Sequence, residues 1–235
     1  MNPENALIVA LDVDTEKKAV EIIEKLKDDV RFFKIGLELF SSCGPSVVKT
    51  IKEKGCDIFL DLKFHDIPNT VANASRAATR IGVYMFNVHA LGGFEMMKAA
   101  AEAAADEAGK LKIERPKVIA VTVLTSMDKS GLKKIGVNDK MEEEVVRLAG
   151  LAKEAGLDGV VASPKEAKLV RERLGGDFLI VTPGIRPASS KDDQKRVATP
   201  RSALKDGADF IVVGRPITGA ADIAGAAKEI LKDIA

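Results

Sequence analysis

The strongest constraint on the fold is the regular alternation of two kinds of segment along the whole chain. Eight short, nearly continuous apolar runs, rich in β-branched residues, alternate with longer segments whose apolar residues recur at helical spacing. Apolar residues on both faces are typical of parallel strands, because helices cover both sides of such a sheet. The eight predicted strands are Ala6–Val13, Phe32–Phe40, Cys56–Phe64, Tyr84–Leu91, Lys117–Thr125, Gly159–Ser163, Phe178–Ile185 and Asp209–Gly214.

The segments between these runs predict helices. In Thr15–Lys27 the apolar residues follow helical spacing, and either Asp14 or Thr15 is suited to cap its start. The last helix is expected over about Ala220–Leu231. Eight strands and about eight helices in 235 residues give roughly 29 residues per unit, which is the size of a βα repeat.

This repeat predicts the α/β fold class and a single (β/α)8 TIM barrel over residues 1–235. We favour the closed barrel over an open doubly wound sheet, because no linker or shift in composition divides the chain. In such a barrel the catalytic groups lie at the C-terminal ends of the strands. Phosphate groups commonly bind after strands seven and eight.

Composition argues against two classes of partner. Lys and Arg number 36 against 35 Asp and Glu, so the net charge of +1 offers no overall attraction to nucleic acid or to an anionic membrane.

Cys43 and Cys56 are too few for a disulfide framework, and their spacing matches no zinc motif. The first residues lack the pattern of a signal peptide, and no apolar run approaches the roughly 18 residues of a membrane span. We therefore expect a soluble, cytoplasmic protein that binds neither nucleic acid nor membrane.

The third predicted strand carries charged residues where apolar ones are expected. Asp61 and Lys63 are two residues apart, so they share one side of the strand with Phe59, and Asp66 follows just beyond. Charges buried at a barrel mouth cost several kcal/mol unless they are paired. Asp61 and Lys63 either form an ion pair that only holds the register of the strands, or they form part of an active site. In the second case the Lys63 ammonium is held among carboxylates as a fixed proton donor.

Other predicted strands also end in polar residues. Strand one ends at Asp12 and strand two carries Lys34. Strand four ends with Asn87 and His89, and strand five with Thr125 and Ser126. For His89, and for His65 after strand three, ordinary packing is the expected role, since two histidines with scattered acids define neither a metal site nor a nucleophile relay.

The loops after strands seven and eight predict a phosphate site. Gly184 and Gly214 allow the backbone to approach a ligand closely, and Arg186 and Arg215 offer forked donors to its oxygens. The alternative is that the glycines only form turns and the arginines are solvated. The polar segment 186–198 is predicted to be a mobile lid over the phosphate, with a plain surface loop as the alternative.

Several motifs together resemble one enzyme family. The string Asp61-Leu-Lys-Phe-His-Asp66-Ile-Pro-Asn-Thr70 resembles the signature of the orotidine 5'-monophosphate decarboxylases, in their bacterial-type branch. The core Asp-x-Lys is shared with sugar-phosphate relatives, whereas the longer string is far more specific. The resemblance extends along the chain through Ala10-Leu-Asp12, Phe33-Lys34-Ile-Gly, Val121-Thr-Val-Leu-Thr-Ser-Met127, Thr182-Pro-Gly-Ile-Arg186-Pro and Val212-Val-Gly-Arg215-Pro-Ile.

The resemblance implies the decarboxylation of orotidine 5'-monophosphate to UMP and CO2, the last step of de novo pyrimidine synthesis, without a cofactor or a metal. It implies a homodimer with both sites at the interface. Implied catalytic roles go to Lys63 as proton donor, Asp61 against the substrate carboxylate, Lys34 in the charged network, and Asp66. Asp66 and the substrate-binding residues Ile67 and Thr70 would reach into the partner's site. Implied binding roles go to Asp12 and Lys34 at the ribose, Thr125 (or Ser126) at the base, Gln194 between base and phosphate, and Arg186, Gly214 and Arg215 at the phosphate.

Three other functions stay open at this point. One is a metal-dependent sugar-phosphate lyase or aldolase that uses the strand-three acids as ligands. Another is an aldolase with a Schiff base on Lys63, which is disfavoured because flanking acids keep that amine protonated. The last is a non-catalytic protein that binds nucleotide phosphates.

Overall fold

The computed structural model of the chain describes residues 5–186 and 198–235. Its eight strands are all parallel and follow one another around a closed barrel, so the predicted (β/α)8 fold is confirmed. Apart from its two ends, the expected lid lies outside the described residues, as does Gln194.

Strands and helices alternate around the barrel, with two helices in some of the connections. The strands are β1 Leu7–Ala10, β2 Phe32–Gly36, β3 Asp57–Phe64, β4 Met85–His89, β5 Lys117–Val121, β6 Gly159–Val161, β7 Leu179–Pro183 and β8 Phe210–Val213. The helices are α1 Glu16–Leu26, α2 Leu37–Cys43, α3 Ser46–Lys52, α4 Pro68–Arg80, α5 Phe94–Leu111, α6 Lys129–Lys134, α7 Met141–Glu154, α8 Pro164–Leu174, α9 Pro200–Lys205, α10 Arg215–Thr218 and α11 Ile223–Ile234. None of these helices is long and apolar enough to cross a bilayer.

The core has two layers because successive side chains of a strand point to opposite faces. One face of each strand packs against the surrounding helices in a large apolar cluster. The other face fills the barrel interior, where Phe32 meets Phe210 edge to face with ring centroids 5.4 Å apart. The interior cluster consists of Ile8, Ala10, Phe32, Phe59, Met85, Ile119, Val181, Phe210 and Val212. Burial on both faces explains why the strands are nearly continuous apolar runs.

Seven of the eight predicted strands are too long at their C-terminal ends, whereas β3 ends at Phe64 as predicted. Phe32–Phe40 stops being a strand at Gly36, and the rest of it starts α2. Lys117–Thr125 ends at Val121, so Thr125 and Ser126 belong to the following loop. The apolar runs continue past the strands because the loops at the barrel mouth are themselves partly buried, and apolar character alone does not mark where a strand ends.

Side-chain caps set the start of the first and the last helix. Thr15, one of the two predicted caps of α1, accepts a hydrogen bond from the backbone N–H of Lys18. The expectation of a last helix from Ala220 is wrong in its start. Asp222 caps α11 by accepting from the N–H of Gly225, so the helix begins at Ile223.

The pairing of β3 with β4 is irregular at the position that concerns function. Leu60 pairs with Phe86, and the next pair is Phe64 with Val88, so residues 61, 62 and 63 lie opposite residue 87 alone. Extra residues of this kind leave backbone groups outside the ladder and turn side chains in new directions. This irregularity lies at the mouth of the barrel.

Candidate active site

A cavity of about 180 Å3 opens at the C-terminal end of the barrel. Residues of six strands and of the loop after β5 line it: Lys34, Phe59, Asp61, Lys63, Val121, Val123, Leu124, Thr125, Val161, Val181, Pro183 and Val212. The charged residues belong to β2 and β3, whereas the strands from β5 to β8 contribute apolar side chains. A pocket of this kind, apolar with a few converging polar groups, is typical of a ligand site.

Asp61 and Lys63 meet at this cavity. The Lys63 ammonium nitrogen lies 2.7 Å from Oδ1 of Asp61. Lys63 has a φ of 53°, in the left-handed region that a non-glycine residue rarely adopts. This backbone conformation is part of the irregularity between β3 and β4, and it costs free energy that neighbouring contacts must offset.

Lys34 and Asp12 extend the charged row. Lys34 has only 11% of its side chain exposed, and its ammonium lies 3.3 Å from Oδ2 of Asp61 and 3.1 Å from Oδ1 of Asp12. Asp61 therefore has a lysine at each oxygen, with 14% of its own side chain exposed. The row Asp12, Lys34, Asp61 and Lys63 alternates in charge, so each buried charge has an opposite neighbour.

Asn87 on β4 joins this row, although the sequence analysis assigned it no role. Its carboxamide oxygen accepts the backbone N–H of Lys63 at 2.7 Å. Its amide nitrogen donates to Oδ1 of Asp61, also at 2.7 Å. The only signal in the sequence was a polar residue near the end of an apolar strand.

Gly36 is a second residue that the sequence analysis missed. A Cβ atom at this position would lie 3.0 Å from the Lys34 ammonium and 3.6 Å from Oδ1 of Asp12. A glycine at the end of β2 therefore leaves room for the Lys34 ammonium beside Asp12.

The loop after β5 supplies the cavity wall opposite the charges. Thr125 lines the cavity, whereas Ser126 does not. An adjoining cavity of about 670 Å3 shares Val123, Leu124, Thr125 and Pro183 with it and extends towards α7 and α8. Of the two hydroxyl residues considered for a base contact, Thr125 is the one at the cavity surface.

Asp66, Ile67 and Thr70 are not brought to Lys63 within this chain. All three are exposed, and 66% of Ile67 is accessible. Asp66 Oδ1 accepts the N–H of Ile67 at 2.6 Å. Within residues 5–186 and 198–235, Asp66 forms no ion pair. Among the described residues of a single chain, Lys63 thus has one carboxylate partner rather than two.

The loops after β7 and β8 lie at the same end of the barrel. Gly184 has a φ of 79°, which favours glycine. The N–H of Arg186 donates to the carbonyl of Ala198 at 3.2 Å, so the two ends of the predicted lid segment lie side by side. A Cβ atom at Gly214 would lie 3.3 Å from Oδ2 of Asp12. Exposed Arg215 follows Gly214.

The two histidines stack on each other beside the site. The rings of His65 and His89 have centroids 5.3 Å apart at an interplanar angle of 20°. Burial, and then the nearby His65 and Lys63, lower the pKa of His89 to about 4. His89 is therefore neutral at pH 7 and adds no positive charge next to Lys63. Among the described residues, no three His, Cys, Asp or Glu side chains group as metal ligands would.

Comparison with known proteins places this chain in a family. The sequence matches the family model described as "Orotidine 5'-phosphate decarboxylase / HUMPS family" over residues 5–230. The chain belongs to this family. The resemblance inferred from the sequence motifs is thereby confirmed.

Members of the orotidine 5'-phosphate decarboxylase family resemble the chain over its full length. The orotidine 5'-phosphate decarboxylase of Moorella thermoacetica is 51% identical over 236 residues, covering 100% of this chain and 94% of that protein. The same enzyme of Geobacter sulfurreducens is 53% identical over 231 residues, covering 97% and 95%. The crystal structure of orotidine 5'-phosphate decarboxylase from Lactobacillus acidophilus matches with a TM-score of 0.87 and 44% identity, covering 98% of this chain and 99% of that one.

Proposed function

We propose that this protein decarboxylates orotidine 5'-monophosphate to UMP and CO2 in cytoplasmic de novo pyrimidine biosynthesis, with Lys63 as the proton donor and without a cofactor. The observation that carries the proposal is the Lys63 ammonium, held 2.7 Å from Asp61 at the rim of the cavity. Family membership and the names of relatives about half identical to the chain support the same reaction.

The chemistry requires a fixed positive charge beside the reacting carbon. When the bond to the carboxyl group breaks, CO2 leaves and the electron pair stays on a ring carbon that has no adjacent π system to delocalise it. An ammonium at about 4 Å stabilises such a pair by roughly 4 kcal/mol at an effective dielectric constant near 20. A proton then passes from the Lys63 ammonium to that carbon, and the amine regains a proton from water. Because the ammonium is already oriented, little reorganisation is needed during the reaction.

Asp61 has two effects in this proposal. Its carboxylate fixes the Lys63 ammonium, and it also faces the place where the substrate carboxylate would lie. Repulsion between the two carboxylates would disappear as CO2 leaves. We rank the preoriented lysine first, because both oxygens of Asp61 have lysine partners that reduce this repulsion.

Binding of the rest of the nucleotide is assigned to the surrounding rim. The proposed contacts are Asp12 and Lys34 with the ribose hydroxyls, Thr125 with the base, Gln194 with base and phosphate, and Arg186, Gly214 and Arg215 with the phosphate. The phosphate lies far from the reacting carbon, so its binding energy acts by closing the segment 186–198 and ordering the site. The hydrogen bond from the N–H of Arg186 to the carbonyl of Ala198 holds the two ends of this segment together.

We also propose a homodimer in which Asp66, Ile67 and Thr70 complete the partner's site. Their exposure on one chain supports this assignment, above all that of Ile67, a large apolar residue with 66% of its surface accessible. Asp66 would then supply a second carboxylate, beside Asp61, to the partner's site.

A metal-dependent sugar-phosphate lyase is the main alternative. It would need the strand-three acids free to bind a cation. Both oxygens of Asp61 instead lie within 3.3 Å of lysine ammonium groups, which favours the charge network over a metal site.

The test is the loss of ultraviolet absorbance of orotidine 5'-monophosphate in the presence of EDTA. We expect turnover by the parent, and a kcat lower by about 10²- to 10⁴-fold in Lys63→Ala. Lys49→Ala, at an exposed helical lysine, is the matched control and should keep the parental rate. Unchanged turnover in Lys63→Ala would remove the proposal. Activity that EDTA abolishes and Mg²⁺ restores would select the lyase, and UMP binding without turnover would select a non-catalytic binder.

A further inference from the structure

Asn87 lies within the charged row, but the proposed mechanism gives this residue no role. It is fully buried on β4, and it shares the inward side of that strand with Met85. Its carboxamide spans the two ends of the segment from Asp61 to Lys63: the oxygen binds the Lys63 backbone, and the nitrogen binds the Asp61 carboxylate.

The orientation of this carboxamide is fixed by its two partners. A backbone N–H needs an acceptor, and a carboxylate flanked by lysines needs a donor. A flipped amide would place its NH2 group against the Lys63 N–H and its oxygen against Asp61, which is unfavourable at both contacts. Only one orientation therefore satisfies both neighbours.

The contact to the Lys63 backbone compensates for the irregular strand pairing. Residues 61 to 63 lie opposite residue 87 alone, so the ladder between β3 and β4 is interrupted there. The Asn87 side chain accepts the Lys63 N–H in place of a strand carbonyl. It thereby helps to hold Lys63 at a φ of 53°, a conformation that the residue would otherwise leave.

The contact to Asp61 fixes the other half of the ion pair. Oδ1 of Asp61 accepts both the Lys63 ammonium and the Asn87 amide, each at 2.7 Å. A carboxylate held only by flexible lysine side chains would rotate more freely. The rigid carboxamide thus sets the direction in which Asp61 presents its oxygen to Lys63.

We propose that Asn87 is a positioning residue for the reaction: its carboxamide holds the Lys63 backbone and the Asp61 carboxylate together, and so aims the ammonium at the ring carbon that loses CO2. This inference rests on the proposed role of Lys63 as proton donor. Asn87 itself does not touch the substrate.

The test separates an effect on the position of the Lys63 ammonium from effects on substrate binding and on folding. In Asn87→Ala we expect kcat to fall on the order of 10- to 100-fold, because a displacement of a catalytic group by about 1 Å costs up to about 100-fold in rate. KM and the Kd of UMP should change by less than about threefold. Exchange of the hydrogen on the same carbon of UMP with D2O should fall in parallel, since it requires the same Lys63 geometry in reverse. Thr182→Val, which alters a buried residue outside the cavity lining, is the matched control and should keep the parental kcat.

A second variant keeps the test decisive if Asn87→Ala does not fold. Asn87→Asp has nearly the same shape and still accepts the Lys63 N–H, but it can donate to Asp61 only when a proton is shared between the two carboxylates. The ratio of its kcat to the parental kcat should therefore fall as the pH rises. A purely structural role would leave this ratio independent of pH.

The outcomes distinguish this inference from the proposed function. If Lys63→Ala is inactive and Asn87→Ala, or a folded Asn87→Asp, keeps the parental kcat and exchange rate, only the inference about Asn87 is wrong. A rise in KM with an unchanged kcat would also overturn it. If Lys63→Ala keeps the parental turnover, the proposed function fails first. In the Lys63→Ala background, adding Asn87→Ala should cost no further activity, because the two residues act as one unit.

Discussion

The ammonium of Lys34 lies 3.3 Å from Oδ2 of Asp61, on the side of the carboxylate opposite Lys63. This contact places a second, nearly buried cation behind the first. It holds Asp61 from both sides, while Asp12 balances the charge of Lys34 at 3.1 Å. The position of Lys34 therefore couples the proposed ribose contacts to the proposed proton donor.

Gly36→Ala tests that coupling. The backbone of Gly36, with a φ of −93°, accepts alanine, but the new Cβ would lie 3.0 Å from the Lys34 ammonium. The ammonium must then shift by a few tenths of an ångström. We expect KM for orotidine 5'-monophosphate to rise several-fold, with a smaller fall in kcat, measured by steady-state kinetics. Gly150→Ala in α7 has open space around its Cβ and should leave both constants unchanged while raising Tm. Equal kinetics for the two variants would contradict the coupling.

Arg215→Ala tests the proposed use of phosphate binding energy. The variant should lose far more kcat/KM with orotidine 5'-monophosphate than with orotidine, which lacks the phosphate, because the arginine acts only through that group. The measurement is kcat/KM for both substrates with parent and variant. Equal losses on the two substrates would show that Arg215 supports the site in another way.

The sequence was sufficient for the fold and for most of the charged row. Alternating apolar runs and helical patterns predicted the closed barrel. Both patterns can be recognised in short stretches of sequence, and eight strand–helix repeats are the number found in a (β/α)8 barrel. Asp61 and Lys63 were predicted to share a face, and they meet at 2.7 Å. The parity argument is incomplete, however, since the left-handed backbone of Lys63 is not part of a regular strand.

What the sequence could not supply depends on pairing between distant segments. The role of Asn87 follows from a register shift between β3 and β4, which no local pattern reveals. The same holds for Gly36, whose importance depends on where the end of Lys34 lies. The strand ends were overestimated because apolar residues continue into the loops that line the cavity. The roles of all the predicted site residues, Asp66, Ile67, Thr70 and Gln194 included, stay predictions.

Mixing two inactive variants tests the shared site of the proposed homodimer. If Asp66 acts in the partner's site, a dimer of one Lys63→Ala chain and one Asp66→Ala chain has one site with both residues intact. After subunit exchange of equal amounts, random pairing should restore about one quarter of the parental activity per total protein. The measurement is the rate of absorbance loss before and after exchange. If the mixture stays inactive although native mass spectrometry, with one variant isotopically labelled, shows mixed dimers, Asp66 acts within its own chain.

His89 is predicted to make stability depend on pH below neutrality. Its pKa is about 4 in the folded chain, against 6.5 for an ordinary histidine. Between these values the unfolded chain binds a proton that the folded chain does not, so the free energy of unfolding decreases as the pH falls through this window. The stability that comes from keeping His89 neutral is fully present above pH 6.5 and is lost as the pH falls towards 4.

The variant His89→Asn isolates this contribution. Asparagine retains an acceptor for the N–H of Leu91, which His89 now binds through Nδ1, but it does not titrate. Carboxylates that titrate in the same range are common to both proteins and cancel in the difference. In urea unfolding, the stability of His89→Asn relative to the parent should be constant above about pH 7 and should improve steadily from about pH 6.5 towards pH 4. Parallel stability curves across this range would show that the folded chain accepts the proton on His89 as readily as the unfolded chain does.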